Sequence, residues 1–485
     1  MSLAETVPML FVRIVSALFG YTNYVVIGIF VWTIWLDHTQ PKRQRIRYGR
    51  SILPRLGSIR SFDSEPEFQF VDGLETNLYV YEAILEGDLV TIISIKELDV
   101  KIKDLSCLLW YSSQQDSIAF VVNASVRDLH EHHGMKYTAA YVQCALKKRY
   151  AYLKGWPLLV GLTGNKSMAF RPKVMLPIQD GGMKSFYQDA ASRAHAAEKR
   201  VVEFTVCIPP IYGDYSNTAQ LVEKLEMSRL LGARRVVLYN NSIAPSVNSV
   251  LQMYIGEGKM GLEKLQVVVH PWKLPAVSEN GTIRVIQSEK DIHYFGQLAA
   301  INHCLHRYRW LSRYIVFTDL DEFIIPRQHD SWSQLIGYRQ KRSPNIAAFL
   351  FRSTVFAKNL PTPAKGFELK AFEYGSAVFW YTQRDKYIFP ALQRSKLIVD
   401  PRRVEEIGIH NVWIGSGTTD DVPPTQGMVY HYRMPLRSGP RVLHVSDFTV
   451  TNKFGTQLAR KLKAAWSKLQ ARASISKRLS LPIRT

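Results

Sequence analysis

The chain has 485 residues, of which 46% are hydrophobic, and a formal net charge of +21. That is enough for two or three domains with sizeable cores, and it excludes a largely disordered chain. The positive balance suggests anionic partners such as nucleic acid, anionic lipid or phosphate-bearing substrates. No RNP, zinc-finger or helix-turn-helix pattern accompanies it, so no nucleic acid partner is expected.

Residues 1–13 read as a short cytosolic tail. Ile14 to Leu36 is an uncharged run of 23 residues, long enough to cross a bilayer core of about 30 Å as a helix. Tyr21, Trp32 and Trp35 suit its interfaces, so residues 14–36 are read as a transmembrane signal anchor. Lys42, Arg43, Arg45, Arg47 and Arg50 follow it, and by the positive-inside rule they favour the cytosolic side for what comes after. Residues 37–64 read as a basic stalk. Short β-type runs at Leu78–Tyr81, Leu89–Ile95, Ile118–Val122 and Tyr137–Cys144 predict a small β-rich domain. With a helical, polar connector it fills residues 65–199.

From Val201 the pattern changes to alternating strands and helices. Strands are predicted at Val202–Ile208, Arg235–Tyr239, Leu265–His270 and Arg313–Phe317, with helices at Thr218–Leu231, Ser246–Ile255 and Asp291–Arg309. Gly232 serves as a C-cap, and Asp291 could cap the third helix. Such alternation implies a mainly parallel sheet covered on both faces, with ligands bound beyond the strand C-termini. No G-x-G-x-x-G or P-loop pattern follows the first strand, which disfavours dinucleotide and P-loop enzymes. Residues 200–436 are read as the catalytic domain and 437–485 as a basic tail. Within the tail, 455–472 read as a basic amphipathic helix. Its stripe of Leu458, Leu462, Ala465, Trp466 and Leu469 is expected to pack on that domain, the alternative being that it lies on an anionic membrane surface.

The fourth strand runs into Asp319-Leu320-Asp321. Two carboxylates at this edge make a hard-oxygen site for Mn²⁺ or Mg²⁺, leaving positions for diphosphate oxygens. Such a metal offsets charge on a leaving nucleoside diphosphate.

The segments 206–213 (VCIPPIYG), 221–232 (LVEKLEMSRLLG), 237–241 (VLYNN), 296–305 (GQLAAINHCL), 317–326 (FTDLDEFIIP), 394–404 (RSKLIVDPRRV) and 431–433 (HYR) together resemble glycosyltransferase family 92. The resemblance implies a GT-A fold and an inverting, Mn²⁺-dependent galactosyltransferase-like activity. It implies a UDP-sugar donor, with UDP-galactose favoured, and a glycan acceptor. It further implies a type II Golgi membrane protein whose catalytic domain is lumenal, against the basic flank. The alternative is a catalytically inactive relative acting as a lectin or chaperone module.

Asp319 and Asp321 are the candidate metal ligands, joined by His431, with His410 as the second choice. Arg394 and Lys396 are candidates for diphosphate oxygens, and Tyr212, Asn240 and Gln297 for holding the nucleotide. Inversion needs a carboxylate to take the acceptor's proton. Asp385, among Trp380, Tyr381, Tyr387 and Phe389, is the candidate. Sequons stand at Asn123, Asn165, Asn240 and Asn280. The cysteines Cys107, Cys144, Cys207 and Cys304 contain no C-x-x-C pair. In an oxidising compartment they allow two disulfides, with three candidate pairings.

Overall fold

A computed structural model describes residues 65–111, 119–146, 155–164, 172–182, 201–258, 264–279, 282–435 and 443–479. The predicted tail, anchor and stalk (1–64) and nearly all of the connector (183–199) lie outside the described residues. Among the described residues no helix is long and apolar enough to cross a membrane.

The β-rich expectation corresponds to eight strands: β1 (Gln69–Phe70), β2 (Leu78–Glu86), β3 (Leu89–Glu97), β4 (Leu105–Trp110), β5 (Phe120–Asp128), β6 (Tyr137–Ala145), β7 (Leu159–Gly164) and β8 (Val174–Gln179). The sheet order is β1-β2-β3-β6-β5-β4-β7-β8, and β8 pairs back onto β2, so the sheet closes on itself. Strands β2 and β3 read as continuous apolar runs because both of their faces are covered. Leu78, Val80, Val90 and Ile92 fill the interior of the closed sheet with Val142 and Val160. Tyr79, Tyr81, Ile93 and Ile95 point outward into a second core shared with the rest of the chain. The period-two alternation of a strand thus serves two cores.

The remainder builds on β9 (Val202–Ile211), α1 (Thr218–Leu231), β10 (Ala233–Asn240), α2 (Pro245–Gly258), β11 (Gln266–Pro271), the hairpin β12 (Ala276–Glu279) and β13 (Thr282–Val285), α3 (Gln297–Arg307) and β14 (Ser312–Phe317). Asn217 caps α1 by accepting from Gln220 N, and Gly232 ends it at φ 119°, the left-handed C-cap that glycine supplies without a Cβ clash. After β14 come β15 (Glu322–Pro326), α4 (Trp332–Arg342), β16 (Ile346–Phe351), β17 (Ser353–Ala357), α5 (Glu368–Tyr374), α6 (Ala377–Trp380), β18 (Gln383–Asp385), β19 (Lys396–Val399), β20 (Val404–Ile407), β21 (Val412–Gly415), β22 (Thr418–Val422), β23 (Gly427–Arg433), β24 (His444–Ser446) and α7 (Thr449–Leu479).

The main sheet has the order β11-β10-β9-β14-β19-β16-β22. Its first four strands are parallel, as the alternation predicts. The sheet as a whole is mixed, because β19 enters antiparallel between β14 and β16. That strand arrives about eighty residues after its neighbour β14, beyond the reach of local pattern. A second sheet, β15-β23-β17-β18-β24, stands beside it.

The third helix departs from its prediction. It begins at Gln297, after a turn in which Tyr294, Phe295 and Gly296 have φ of 37°, 54° and 73°. Asp291 does not cap it. Its carboxylate accepts from Arg284 at 2.5 and 3.1 Å and from Gln287 N at 2.8 Å, anchoring the preceding hairpin instead.

One face of the main sheet packs on α3 and, through it, on β2, β3 and β6. The other face packs on α1, α2, α4 and α7. Helix α7 is therefore part of the core and not an appended tail: Val450, Phe454, Leu458, Ala459, Leu462 and Ala465 are buried. Leu458→Ala is expected to cost about 2–5 kcal/mol, as for other fully buried leucines. Denaturant unfolding checks this, and a loss below about 1 kcal/mol would show that the helix is peripheral.

The cysteines pair as Cys107–Cys144 within the closed sheet and Cys207–Cys304 between β9 and α3. Among the sequons, Asn123 lies exposed on β5 and Asn240 ends β10, while Asn165 and Asn280 lie outside the described residues.

Candidate active site

Strand β14 ends at Phe317, and the chain turns through Thr318, Asp319, Leu320 and Asp321 into β15. Three buried groups hold that turn. Glu322, 2% exposed, accepts from Asp319 N at 3.0 Å through its carboxylate. Lys224 of α1 donates to Thr318 Oγ1 at 2.9 Å and to the carbonyls of Asp319 and Glu322 at 2.7 and 2.5 Å. Burial pulls its ammonium down to about 8, partly offset by Glu322, Asp319 and Asp321. Lys396 of β19 sits 3.1 Å from both Asp319 Oδ2 and Glu322 Oε2. Burial opposes its charge, but the two carboxylates outweigh it and hold the pKa above the ordinary lysine value.

Register places the histidine. β15 runs antiparallel to β23 with Glu322 opposite His431. The His431 ring therefore reaches Asp321 Oδ2 at 3.3 Å through Nε2 and lies 3.3 Å from Glu322 Oε1 through Nδ1. Burial would lower its pKa, yet Glu322, Asp321 and Asp319 raise it. Asp321 is held below the usual carboxylate range: burial opposes this, and the His431 contact overcomes it.

This turn opens on a cleft of about 1010 Å³. Tyr212, Gln297, Asp319, Asp321, Arg394, Lys396, His410 and His431 all line it. The residues proposed for metal and diphosphate therefore converge, with two of the three proposed for the nucleotide. Tyr212 stacks on Phe295 with ring centroids 4.2 Å apart, which places the strained 294–296 turn in the wall. Arg394 also has a left-handed φ, 54°. Strain of this kind costs of order 1 kcal/mol or more per residue and persists where the surroundings fix it. His410 Nδ1 donates to the Ser395 carbonyl at 2.9 Å.

Two expectations are corrected. Asn240 is on the sheet edge but outside the cleft lining. Its carbonyl accepts from Trp272 N at 2.8 Å, which ties it to the start of the next connection. Asp385 is also outside the cleft. Strand β18 pairs with β17 and β24, and this turns the Asp385 carboxylate toward His444 at 3.4 Å.

Sequence reasoning missed Glu131 and His133, which line the cleft from the β5–β6 loop of the closed sheet. His133 stacks on His293 at 3.8 Å. Glu131 Oε2 accepts from Ile409 N at 2.8 Å. It missed Lys224 too, although the buried lysine stands inside one of the motifs quoted above.

The fit to a divalent cation can be judged from the donors. Asp319 Oδ1 is buried without a hydrogen-bond partner, and Asp321 Oδ2 stands 3.3 Å from His431 Nε2. Hard carboxylate oxygens with one imidazole suit Mn²⁺ or Mg²⁺. Among the described residues no three His, Cys, Asp or Glu side chains stand as a ready-made metal shell, and Lys396 already occupies Asp319 Oδ2. The protein thus offers part of a coordination sphere.

An acidic turn beyond the C-terminal ends of parallel strands, opening on a wide aromatic-walled cleft, defines an α/β protein with its ligand site at the strand edge. The chain belongs to glycosyltransferase family 92, whose family model matches residues 202–474. It is 26% identical over 40% of its length to a glycosyltransferase family 92 protein of Caenorhabditis elegans. It is 25% identical over 26% of its length to a β-1,4-galactosyltransferase of the same organism. To a galactan β-1,4-galactosyltransferase of Arabidopsis thaliana it is 27% identical over 38% of its length. These alignments span 35%, 25% and 36% of the relatives' own lengths.

Proposed function

We propose that the chain is an inverting glycosyltransferase of GT-A type that moves a sugar from a UDP-sugar, galactose first among candidates, to a glycan. The observation that carries this reading is the cleft-lining Asp319–Asp321 turn, with His431 against Asp321 and with Asp319 Oδ1 buried and lacking a hydrogen-bond partner. Asp319, Asp321 and His431 would hold Mn²⁺ or Mg²⁺, which when bound supplies positive charge to the leaving diphosphate. The family membership and the two galactosyltransferase relatives support the reaction class and the sugar.

The chain's own groups divide the remaining work. Arg394 offers its guanidinium to diphosphate oxygens. Lys396 braces Asp319 and Glu322 and keeps the turn's negative charge tolerable in a buried setting. Tyr212, 41% exposed and backed by Phe295, presents a ring face to the nucleobase. Gln297 adds an amide at the start of α3. With Asp385 turned away, Glu131 is, among the described residues, the carboxylate lining the cleft outside the Asp319–Glu322 turn, and it takes the acceptor's proton in this reading. The two disulfides support an oxidising compartment. They fit a type II Golgi protein anchored by residues 14–36 with the catalytic part lumenal.

The test is a donor screen. The protein is incubated with Mn²⁺, a galacto-oligosaccharide and each UDP- or GDP-sugar in turn, with released nucleotide and extended glycan as readouts. UDP-galactose is expected to give metal-dependent transfer, and Glu131→Gln to lower transfer at least about a hundredfold while Mn²⁺-UDP binding persists. No turnover with any donor overturns the reading, and full activity of Glu131→Gln overturns the base assignment.

A further inference from the structure

A second cavity of about 400 Å³ adjoins the cleft, within the range of ~300–1,000 Å³ typical of small-ligand sites. Gln220 and Lys358 line both spaces, so the two are neighbours across these side chains. Three aromatic residues, Phe372, Trp380 and Tyr381, stand in the rest of its wall among small and polar ones. Trp380 and Tyr381 are half-buried, and Phe372 is 82% exposed. A bare phenyl ring at a cavity mouth is an apolar surface in search of cover.

The cavity is built, not a chance dent between loops. Glu223 is 2% exposed. Its carboxylate accepts from Ser376 Oγ and from the backbone N–H of Ala377 and Val378 at 3.1 and 3.2 Å. Those bonds satisfy the first turn of α6 and fix the helix that carries Trp380. Polar groups stand at the junction with the cleft. The Gln220 side-chain oxygen accepts from Tyr215 OH at 2.9 Å, so its amide nitrogen is what it offers to a ligand. Lys358 makes no ion pair among the described residues.

We propose that this cavity is an acceptor subsite: it holds the sugar units of a neutral oligosaccharide behind the unit that receives the transferred sugar. The proposal rests on the transferase reading of the adjoining cleft. Aromatic faces cover the apolar C–H faces of pyranose rings, while an amide and an ammonium take hydroxyl oxygens. A second nucleotide diphosphate is a poorer occupant, because a single ammonium is little for two phosphates. A protein partner would want a broad contact of about 800 Å² per side rather than a pocket.

The experiment is calorimetric titration of the protein with β-1,4-linked galacto-oligosaccharides of two and five sugars, for wild type, Phe372→Ala and Phe372→Tyr. Phe372 is exposed, so neither variant threatens the fold. The longer sugar is expected to bind wild type more tightly. Phe372→Ala should weaken it about five- to tenfold, the scale of one aromatic contact, and Phe372→Tyr should restore it. Mn²⁺-UDP binding should be equal in all three. Absence of binding, absence of a length advantage, or a length advantage untouched by Phe372→Ala overturns the subsite. If the length advantage holds but no nucleotide sugar is ever turned over, the transferase reading falls and the glycan site stands.

Discussion

Asp321→Asn, and separately Asp319→Asn, should reduce sugar transfer at least about a hundredfold while leaving the melting temperature nearly unchanged. Loss of one preorganised charge-stabilising group at a reacting centre is worth roughly 10²–10³ in rate. Here each substitution also strips charge from the two carboxylates that would hold a cation. The fold should tolerate both changes. The side chains of Asp319 and Asp321 are 36% and 29% exposed, and the turn is held by Lys224 and Glu322 through main-chain atoms. Lys396 keeps Glu322 as a partner when Asp319 loses its charge. Transfer rates with and without added Mn²⁺, beside a thermal melt, check this. Activity within about twofold of wild type, with unchanged metal dependence, would remove these residues from the site.

Glu82→Ala should destabilise the whole described body by about 3–5 kcal/mol, the cost of leaving a buried partner charge uncompensated. Glu82 lies on β2 and faces α3. Its Oε2 meets His303 Nε2 at 2.7 Å and Arg307 Nε at 3.4 Å. His303 in turn bonds the Tyr239 hydroxyl at 2.7 Å. Burial would raise the Glu82 pKa, yet the His303 hydrogen bond and charge, with Arg307 and His270, bring it to about 2. A depressed carboxylate contributes stability above its unfolded value near 4.5, and that contribution is lost as pH falls toward 2.

His270, in the same cluster, moves in the matching sense. Burial, then the His303 charge, hold its imidazole near 3. The unfolded chain takes up that proton below about 6.5, so stability is full above 6.5 and falls as pH drops toward 3, by up to ~1.4 kcal/mol per pH unit. Denaturant unfolding between pH 7.5 and 5 checks the His270 statement, and its extension down to about pH 2.5 checks the Glu82 one. His270→Gln should flatten the slope. An unchanged slope, or a loss below about 1 kcal/mol for Glu82→Ala, would mean that the cluster does not bind the closed sheet to α3.

The legible parts of the molecule were those with local causes. Strand β14 and its acidic turn announce themselves as an apolar run that stops at charged residues. Helix α1 carries its cap and its glycine stop. What escaped was set by pairing between distant segments. Strand β19 slips antiparallel into the sheet from far along the chain. The facing of Asp385 depends on β18 lying between β17 and β24, so neighbouring aromatic residues in the sequence were a poor guide to the cleft. Asp291 looked like a helix cap, but a bidentate arginine contact competes more strongly for its carboxylate. Glu131 and His133 had no signal of their own, because a loop between two strands reveals nothing of the wall it will meet.

That wall has a further meaning for how such a protein can change. The family match begins at residue 202, whereas Glu131 and His133 reach the cleft from the β5–β6 loop. The region matched by the family and the set of residues that line the cleft therefore have different borders. A chimera joined near residue 200 would bring in a foreign flank, and with it a different shape on one side of the cleft. Glu131 and His133 of the 129–136 loop contact Ile409 and His293, so a substitution there bears on those neighbours as well. A substitution in that loop can reshape one side of the cleft although it lies outside the residues matched by the family.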